Sequence, residues 1–207
     1  GMPILTRTLM AVAAAPEISK IHLVVPEADF AYCESSIIAP LNLKQPVSLV
    51  AGGSCRQESV YNGLFSITGD EALVVVNDGV RPFVSRDHIS HCIDWADKEG
   101  ACIVGVPASD TIKQVTDSGH VLHTHDRQSL WMAQTPQAFK LDDIRKAHEY
   151  ARAAGYQGTD DAALIEYFGG TVRIIQGSPW NIKITTPADL KIAEFIISTG
   201  VLRHSSY

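Results

Sequence analysis

A carboxylate and a guanidinium three residues apart are the first sign of chemistry in this chain. Asp78 and Arg81 lie in the run NDGVRP, directly after the apolar run ALVVV at positions 72–76. Carboxylate oxygens can hold a divalent cation and a guanidinium fork can grip an anion, so the pair suits a metal-bound polyphosphate. The alternative is an Asp in a tight turn that pairs with a nearby Arg.

The element ahead of this pair gives it a place in the fold. A β-branched apolar run predicts a strand that is buried on both faces. Ligands collect at the carboxyl ends of strands in open α/β sheets. We therefore expect Asp78 and Arg81 to lie where ligands bind.

Two other segments could contribute to a phosphate or nucleotide site. Gly52 and Gly53 follow a predicted strand at 47–50 and open a predicted helix that continues to about position 67. Glycines let a ligand approach the backbone, and a helix start offers free N–H groups, although a plain strand-to-helix turn would read the same way. Lys183 is flanked by apolar residues, and a lysine held on a strand presents a fixed ammonium to phosphate. The alternative for Lys183 is a solvated strand residue.

Composition bounds the class of protein. The chain has 207 residues, a formal net charge of -6, 45% hydrophobic residues and 19% charged residues. This suits one α/β domain and argues against a general nucleic-acid or membrane-surface binder. No apolar run is long enough to cross a bilayer. The four cysteines show no CxxC spacing, which is typical of reduced, packing cysteines in a cytoplasmic protein.

Strands alternate with helices along the first half of the chain, which is the signature of a largely parallel, doubly wound sheet. The predicted strands span 21–25, 47–50, 72–76, 101–107, 171–176 and 181–186, and the predicted helices span 3–15, 27–38, 56–67, 86–97, 141–154, 160–168 and 187–198.

A different pattern interrupts this alternation. Short β-type runs at 111–115 and 121–125 flank the turn-rich segment TDSGH. They predict a hairpin that projects from the sheet, and such an arm needs a surface to pack on, for which a partner subunit is the obvious candidate. His123 and His125 fall on one face of the second run and could bind a metal, but no third ligand accompanies them.

Taken in order, the motifs resemble 2-C-methyl-D-erythritol 4-phosphate cytidylyltransferases. The resemblance covers nearly the whole chain. It implies a Rossmann-like, doubly wound, mostly parallel mixed sheet of the nucleotidyltransferase or GT-A-like type, in a single domain over 1–207 with a dimerisation arm at about 108–130. The motifs are GG-x5-S-V, D-G-V-R-P, V-P-x-x-D-T-I-K, D-R-x-x-L-W-x-x-Q-T-P-Q-x-F, T-D-D-A and N-I-K-I-T-T-P-x-D-L.

The resemblance also implies a reaction and its participants. CTP and methylerythritol phosphate would give the CDP-alcohol and pyrophosphate in non-mevalonate isoprenoid synthesis, with Mg²⁺, in a cytoplasmic homodimer. A ribitol-5-phosphate cytidylyltransferase and a non-catalytic nucleotide-binding relative are the alternatives. The pairs Asp110-Thr111 and Asp126-Arg127 favour methylerythritol phosphate over ribitol phosphate.

Site residues follow from the resemblance position by position. Ser54 stands where many members have Asp, and Asn77 stands where the family usually has His. The resemblance assigns catalysis to Lys183, Asp78 and Arg81, CTP binding to Gly52, Gly53, Ser54, Ser59 and Asp78, metal binding to Asp78, and binding of the sugar phosphate to Arg81, Thr111, Arg127, Thr135, Thr159 and Lys183.

Members of the family begin with a strand, a glycine-rich loop that carries Arg, and a Pro-Lys-Gln segment. The printed chain starts where that segment ends. The strand would be central in the sheet, and its loss would leave two neighbouring strands with unpaired backbone groups. We therefore expect the working protein to carry these residues ahead of Gly1.

Overall fold

The fold is α/β with a mixed sheet, as the sequence predicts. The computed structural model describes residues 1–69 and 72–201. The main sheet has the strand order β3-β7-β4-β8. Because β7 is antiparallel to both β3 and β4, and β8 is parallel to β4, three of the four strands run in one direction. These strands are β3 (Leu73–Val76), β4 (Ala101–Pro107), β7 (Trp131–Lys140) and β8 (Arg173–Gln176).

A second, two-stranded sheet carries the glycine turn. β1 (Ile21–Val25) pairs in parallel with β2 (Val47–Ala51), as two consecutive runs of β-branched residues predict. Within residues 1–69 and 72–201, β1 pairs only with β2 and β3 pairs only with β7. The carboxyl ends of β2 and β3 lead into the two segments in which the sequence predicts ligand binding.

Helices pack against the sheets through their apolar faces. The largest buried cluster joins the main sheet to α5 and α6, with Phe139, Ile144 and Leu164 at its centre. The α-helices of regular length are α1 (Ile4–Ala13), α3 (Arg56–Ser66), α4 (Arg86–Glu99), α5 (Leu141–Ala154), α6 (Asp161–Tyr167) and α7 (Pro187–Thr199).

One predicted helix is irregular in the structure. The segment predicted as a helix over 27–38 contains a 3₁₀ turn, the short α2 (Phe30–Tyr32) and a π-helix (Cys33–Ile38). Wider π turns occur where a helix must accommodate an extra residue in its hydrogen-bond ladder. Cys33 and Ile37 on this segment are buried against β1.

The strand β7 is the principal element that the sequence analysis missed. It lies between β3 and β4, at the centre of the main sheet. Its register shifts between Ile103 and Val104 of β4, so that Thr135 and Pro136 form a bulge. A bulge turns side chains away from the regular alternation, and this one turns Thr135 towards the end of β3.

The predicted final strand at 181–186 is wrong. The chain there has no strand pairing and forms an extended loop that leads into α7. Its apolar residues Ile182 and Ile184 pack with Phe83 and Ile196 instead of joining the sheet. Apolar alternation indicated a strand, but here it reflects packing of a loop on a helix.

The predicted hairpin arm is present. β5 (Lys113–Val115) pairs antiparallel with β6 (Val121–Thr124), and every residue of both strands is exposed. The apolar side chains of Val115, Val121 and Leu122 point into solvent.

Among the described residues, no helix has the length and apolar character needed to span a membrane.

Candidate functional site

Asp78 lies in a tight turn at the carboxyl end of β3, and three hydrogen bonds fix that turn. The backbone N–H of Asp78 donates to Oγ1 of Thr135 at 3.0 Å, across from the bulge of β7. The N–H of Arg81 donates to the carbonyl of Asp78 at 3.0 Å and closes the turn. Thr8 on α1 donates its hydroxyl to the carbonyl of Gly79 at 2.8 Å. The carboxylate of Asp78 is therefore held on a rigid backbone.

Three cationic side chains converge on this carboxylate. Nε of Arg56 lies 3.2 Å from Oδ1 of Asp78. Nε of Arg81 lies 3.3 Å from Oδ2 of Asp78. Nζ of Lys183 lies 3.1 Å from the same oxygen. An excess of positive charge around one carboxylate is a suitable environment for phosphate groups.

The ionisation of Asp78 reflects these neighbours. Burial acts to raise the pKa of its carboxyl group, but Arg56 and Lys183 outweigh burial, and the pKa lies below its ordinary value. Asp78 is therefore a carboxylate at neutral pH. Arg81 shows the opposite balance, because burial lowers the pKa of its guanidinium despite the nearby Asp78.

A buried asparagine fixes the loop that carries Lys183. The side-chain amide of Asn181, which is fully buried, donates to the carbonyl of Thr135 at 2.8 Å. Its backbone carbonyl accepts from Nη1 of Arg81 at 2.7 Å. The N–H of Ile184 donates to the carbonyl of Val80 at 2.9 Å. The loop thus follows the Asp78 turn and places Lys183 above it.

The glycine turn after β2 has a closed hydrogen-bond pattern. The N–H of Gly53 donates to Oγ of Ser59 at 3.0 Å. The N–H and hydroxyl of Ser54 both donate to Oε2 of Glu58, each at 2.7 Å. A side chain on Gly53 would overlap with Glu58, so this position requires glycine. The N–H of Gly52 donates to the carbonyl of Val25 at 2.9 Å and joins the turn to β1.

Arg56, on the first turn of α3, connects the glycine turn with the Asp78 turn. Besides Asp78, its guanidinium contacts Asp161, with Nη2 2.8 Å from Oδ2. Asp161 is almost fully buried and lies beside the equally buried His148 of α5, with Nε2 of His148 3.3 Å from Oδ1. Asp161 falls in the T-D-D-A motif and Arg56 in the unspecified part of GG-x5-S-V, so neither had a predicted role, and His148 lies in no motif.

The predicted substrate residues on the main body differ in their surroundings. Thr135 is buried and bonded to Asp78, as described above. Thr159 is exposed, and the side chain that caps α6 is that of Asp160, which accepts from the N–H of Ala163 at 2.9 Å. Capping therefore does not explain Thr159, which stays a predicted substrate residue.

Asp78 and the three cations around it, Arg56, Arg81 and Lys183, form what we call the Asp78 cluster. The arm residues lie apart from this cluster. Nη1 of Arg127 donates to the carbonyl of Ser109 at 2.7 Å, at the base of the arm. Thr111 and Arg127 are both exposed. In the described part of the chain, no hydrogen bond or ion pair joins either residue to Asp78, Arg81 or Lys183. Their predicted role towards the sugar phosphate therefore needs a contact that one subunit does not make.

The protein offers one carboxylate to a metal at this site. Within residues 1–69 and 72–201, no three His, Cys, Asp or Glu side chains form a group that could hold a metal ion. His123 and His125 stack edge to face on the arm, with ring centroids 4.9 Å apart. Magnesium is commonly held by one or two carboxylates together with substrate phosphates. Asp78 fits a magnesium ion that is shared with a triphosphate, rather than an ion held by protein ligands alone.

Comparison with known proteins identifies relatives over almost the whole chain. The family model described as IspD, 2-C-methyl-D-erythritol 4-phosphate cytidylyltransferase, matches residues 1–199. The enzyme of that name from Syntrophus aciditrophicus is 46% identical over 194 residues, which is 94% of this chain and 83% of the relative. The Syntrophotalea carbinolica enzyme of the same name is 46% identical over 95% of this chain and 84% of its own length.

Solved structures give the same result. The 4-diphosphocytidyl-2C-methyl-D-erythritol synthase of Anaerococcus prevotii superposes with a TM-score of 0.89 at 32% identity, covering 96% of this chain and 87% of the other. The 2-C-methyl-D-erythritol 4-phosphate cytidylyltransferase of Francisella tularensis superposes with a TM-score of 0.81 at 32% identity, covering 94% and 88%. Sequence and fold therefore lead to the same group of proteins.

Proposed function

Because the chain belongs to the 2-C-methyl-D-erythritol 4-phosphate cytidylyltransferase family, we propose that the Asp78 cluster is where it joins its two anionic substrates. The enzyme transfers the cytidylyl group of CTP to 2-C-methyl-D-erythritol 4-phosphate. The products are 4-diphosphocytidyl-2-C-methyl-D-erythritol and pyrophosphate, in the non-mevalonate route to isoprenoid precursors.

The transfer is an in-line displacement that needs no covalent enzyme intermediate. A phosphate oxygen of methylerythritol phosphate forms a bond to the α-phosphorus of CTP, and the bond from that phosphorus to the oxygen bridging to the β-phosphate breaks. The electron pair of that bond leaves with pyrophosphate. Both reactants are anions, so the protein contributes positioning and charge stabilisation.

Lys183 and Arg81 supply fixed positive charge in this proposal. In the free protein both contact Oδ2 of Asp78, at 3.1 Å and 3.3 Å. Lys183 is the more exposed of the two, with 42% of its side chain accessible. It is therefore free to exchange Asp78 for the phosphate that gains negative charge in the transition state, while Arg81 stays bonded to the carbonyl of Asn181.

We assign Mg²⁺ to Asp78 and to the phosphates of CTP. When bound, the ion neutralises charge that develops on the phosphate oxygens. The support is the donor set, a single ionised carboxylate on a rigid turn at the end of a strand. Removal of divalent cations with EDTA should abolish turnover, and added Mg²⁺ should restore it.

The glycine turn receives the cytosine end of CTP. Gly53 lacks a side chain, and Ser54 and Ser59 present hydroxyl groups beside it. In the free protein these hydroxyls are bonded to Glu58 and to the backbone of Cys55 and Gly53. Binding of the base would exchange some of these internal bonds for bonds to its polar edge. Ser54 in place of the more common Asp makes this the point at which base recognition departs from that of other members.

The arm makes a homodimer in which each subunit completes the site of the other. Its strands are exposed on all sides, and they carry Val115, Val121 and Leu122 into solvent. A two-stranded hairpin is marginally stable alone, and burial against a partner would stabilise it. Thr111 and Arg127 at its base would then reach the sugar phosphate of the neighbouring subunit.

The free state of all four cysteines, three of them buried, supports a place in the reducing cytoplasm.

The convergence of Arg56, Arg81 and Lys183 on Asp78 is the observation that carries this assignment of roles. The test is pyrophosphate release measured with CTP, ATP, GTP and UTP, each against methylerythritol phosphate and ribitol 5-phosphate. Rapid release with CTP and methylerythritol phosphate alone is the expected result. Equal or faster release with ribitol 5-phosphate would contradict the substrate, and no release with any pair would contradict catalysis by this chain.

A further inference from the structure

A chain of polar contacts leads from the protein interior to Asp78. His148 contacts Asp161, Asp161 contacts Arg56, and Arg56 contacts Asp78. The side chains of His148 and Asp161 are 1% exposed, whereas that of Arg56 is 34% exposed and that of Asp78 is 12% exposed. The inner end is therefore anchored in the core, and the outer end lies in the site.

The buried pair has no other hydrogen-bonding purpose that the structure shows. In the described part of the chain, Nε2 of His148 and Oδ1 of Asp161 are both buried without a hydrogen-bond partner, and they lie 3.3 Å apart. Buried polar groups are costly unless they are paired. Neither residue is needed as a helix cap, because Asp160 caps α6. Two costly buried groups are thus arranged to hold one guanidinium.

Arg56 differs from the other two cations around Asp78. Lys183 is more exposed, and Arg81 shares Oδ2 of Asp78 with it. Arg56 contacts the other oxygen, Oδ1, and has a second carboxylate at its back. When a substrate phosphate draws Lys183 away from Asp78, the contact of Arg56 persists because Asp161 fixes the guanidinium from behind.

We propose that His148 and Asp161 are positioning residues that hold Arg56 against Asp78, so that this carboxylate keeps its orientation while the substrates and metal bind. Asp161 also neutralises part of the positive charge of Arg56, which would otherwise act wholly on Asp78. Without Asp161, the guanidinium of Arg56 would be free to leave Oδ1, and the carboxylate of Asp78 would be free to rotate. The inference rests on the proposed role of the Asp78 cluster in the reaction.

The kinetic test compares Asp161→Asn and Arg56→Lys with the wild type. Asn keeps the shape of Asp161 without its charge, and Lys keeps the charge of Arg56 without the fork that bridges two carboxylates. Each variant should lower kcat about 10- to 100-fold, the range typical of residues that orient a ligand-bearing group. KM for methylerythritol phosphate should stay within about twofold of the wild type, because neither Arg56 nor Asp161 is assigned to that substrate.

Two controls separate positioning from general loss of stability. Ile144→Val, one turn from His148 on α5, removes a buried methylene and should lower the melting temperature without changing kcat. Asp87→Asn makes the same chemical change as Asp161→Asn, but at an exposed carboxylate on α4. If Asp161→Asn loses no more kcat than these controls, the positioning role is wrong.

Conservative replacement and chemical rescue test the geometry of the chain. His148→Gln keeps an N–H donor near Asp161 and should retain most of the activity that His148→Met loses. Guanidinium chloride at a few millimolar should restore part of the activity of Arg56→Ala. It should not do so when Asp161→Asn is also present, because the free guanidinium then has no anchor. Equal rescue in both backgrounds would overturn the role of Asp161.

A measurement without substrates keeps this inference distinct from the proposed function. With ¹⁵N-labelled arginine, the Nε–H signal of Arg56, assigned by its loss in Arg56→Lys, should be sharp in the wild type and broadened in Asp161→Asn. An unchanged signal would show that Asp161 does not hold Arg56. Failure of the wild type to release pyrophosphate would instead contradict the proposed function, and the signal would still decide whether Asp161 holds Arg56.

Discussion

Nζ of Lys183 lies 3.1 Å from Oδ2 of Asp78, although one residue follows β3 and the other precedes α7 near the end of the chain. The two meet because the loop of Asn181 is bonded to the bulge of β7, and the Asp78 turn is bonded to the same bulge. The bulge is therefore the element that aligns a carboxylate and an ammonium from distant parts of the sequence.

Removal of the ammonium should affect catalysis far more than stability. Lys183→Ala should lower kcat about 10²- to 10³-fold, the usual effect of losing one preorganised charge. The free energy of unfolding should fall by at most about 1 kcal/mol, because ion pairs of exposed side chains contribute little. Lys191→Ala, an exposed lysine on α7, is the matched control. Steady-state kinetics with normal turnover in Lys183→Ala would remove Lys183 from the site.

Loss of Asn181, which anchors the loop of Lys183, should lower both stability and catalytic rate. Asn181→Ala removes the amide that donates to Thr135 and Gln134. It should lower the free energy of unfolding by about 1–3 kcal/mol, since a buried acceptor is left unpaired, and it should also lower kcat because the loop shifts. Gln45→Ala removes a comparable side-chain bond, from the loop before β2 to the carbonyl of Ala13 at the end of α1. That control should change stability alone, and full activity in Asn181→Ala would contradict the anchoring role.

Acid should unfold the wild type partly through Asp78. The folded-state pKa of this carboxyl group lies below its ordinary value of 3.8, so the unfolded chain takes up a proton first as the pH falls. The contribution of Asp78 is complete above pH 3.8 and is lost as the pH falls through the lower folded-state pKa. In urea titrations between about pH 3 and pH 6, the stability of Asp78→Asn should therefore depend less on pH than that of the wild type. An identical dependence in both proteins would contradict the depressed pKa.

Arg127 should act on the sugar phosphate alone. Arg127→Ala should raise KM for methylerythritol phosphate about tenfold or more while KM for CTP and the melting temperature stay near the wild-type values, because its side chain is exposed and bonded only to Ser109 among the described residues. Arg86→Ala, which removes an exposed arginine of α4, serves as the control. An unchanged KM for methylerythritol phosphate would remove Arg127 from the substrate site.

Mixing two damaged variants should restore activity if the arm acts across subunits. In the proposed dimer, each site takes Lys183 from one subunit and Arg127 from the other. Half of the dimers that re-form from an equal mixture are mixed, and one of their two sites is intact, so about a quarter of the wild-type activity should return. The assay is run at low methylerythritol phosphate, where both variants are weak. Additive activity without recovery would show that both residues serve the site of their own chain.

The fold prediction succeeded for strands that are recognisable from their own residues, and it failed for the strand that depends on pairing with distant segments. The runs that became β1, β3 and β4 are mostly apolar and contain β-branched residues, so their strand character is visible in the sequence alone. The burial of β3 on both faces is not confirmed, because its four residues are half-buried. β7 contains Gln134, Thr135, Pro136 and Gln137, and nothing local indicates that this polar stretch lies at the centre of the sheet. Its place in the sheet comes from backbone pairing with β3 and β4, which its side chains do not indicate.

The sequence by itself determined the family, the α/β alternation, the arm and the identity of Asp78, Arg81 and Lys183 as candidate site residues, because these are carried by contiguous motifs. Only the tertiary structure decided that Lys183 lies on a loop rather than a strand and that the bulge of β7 aligns it with Asp78. It also decided that the buried His148 and Asp161 lie behind Arg56. The reason is physical: charge pairing and hydrogen bonding act over a few ångströms in space, whichever positions in the chain the fold brings together.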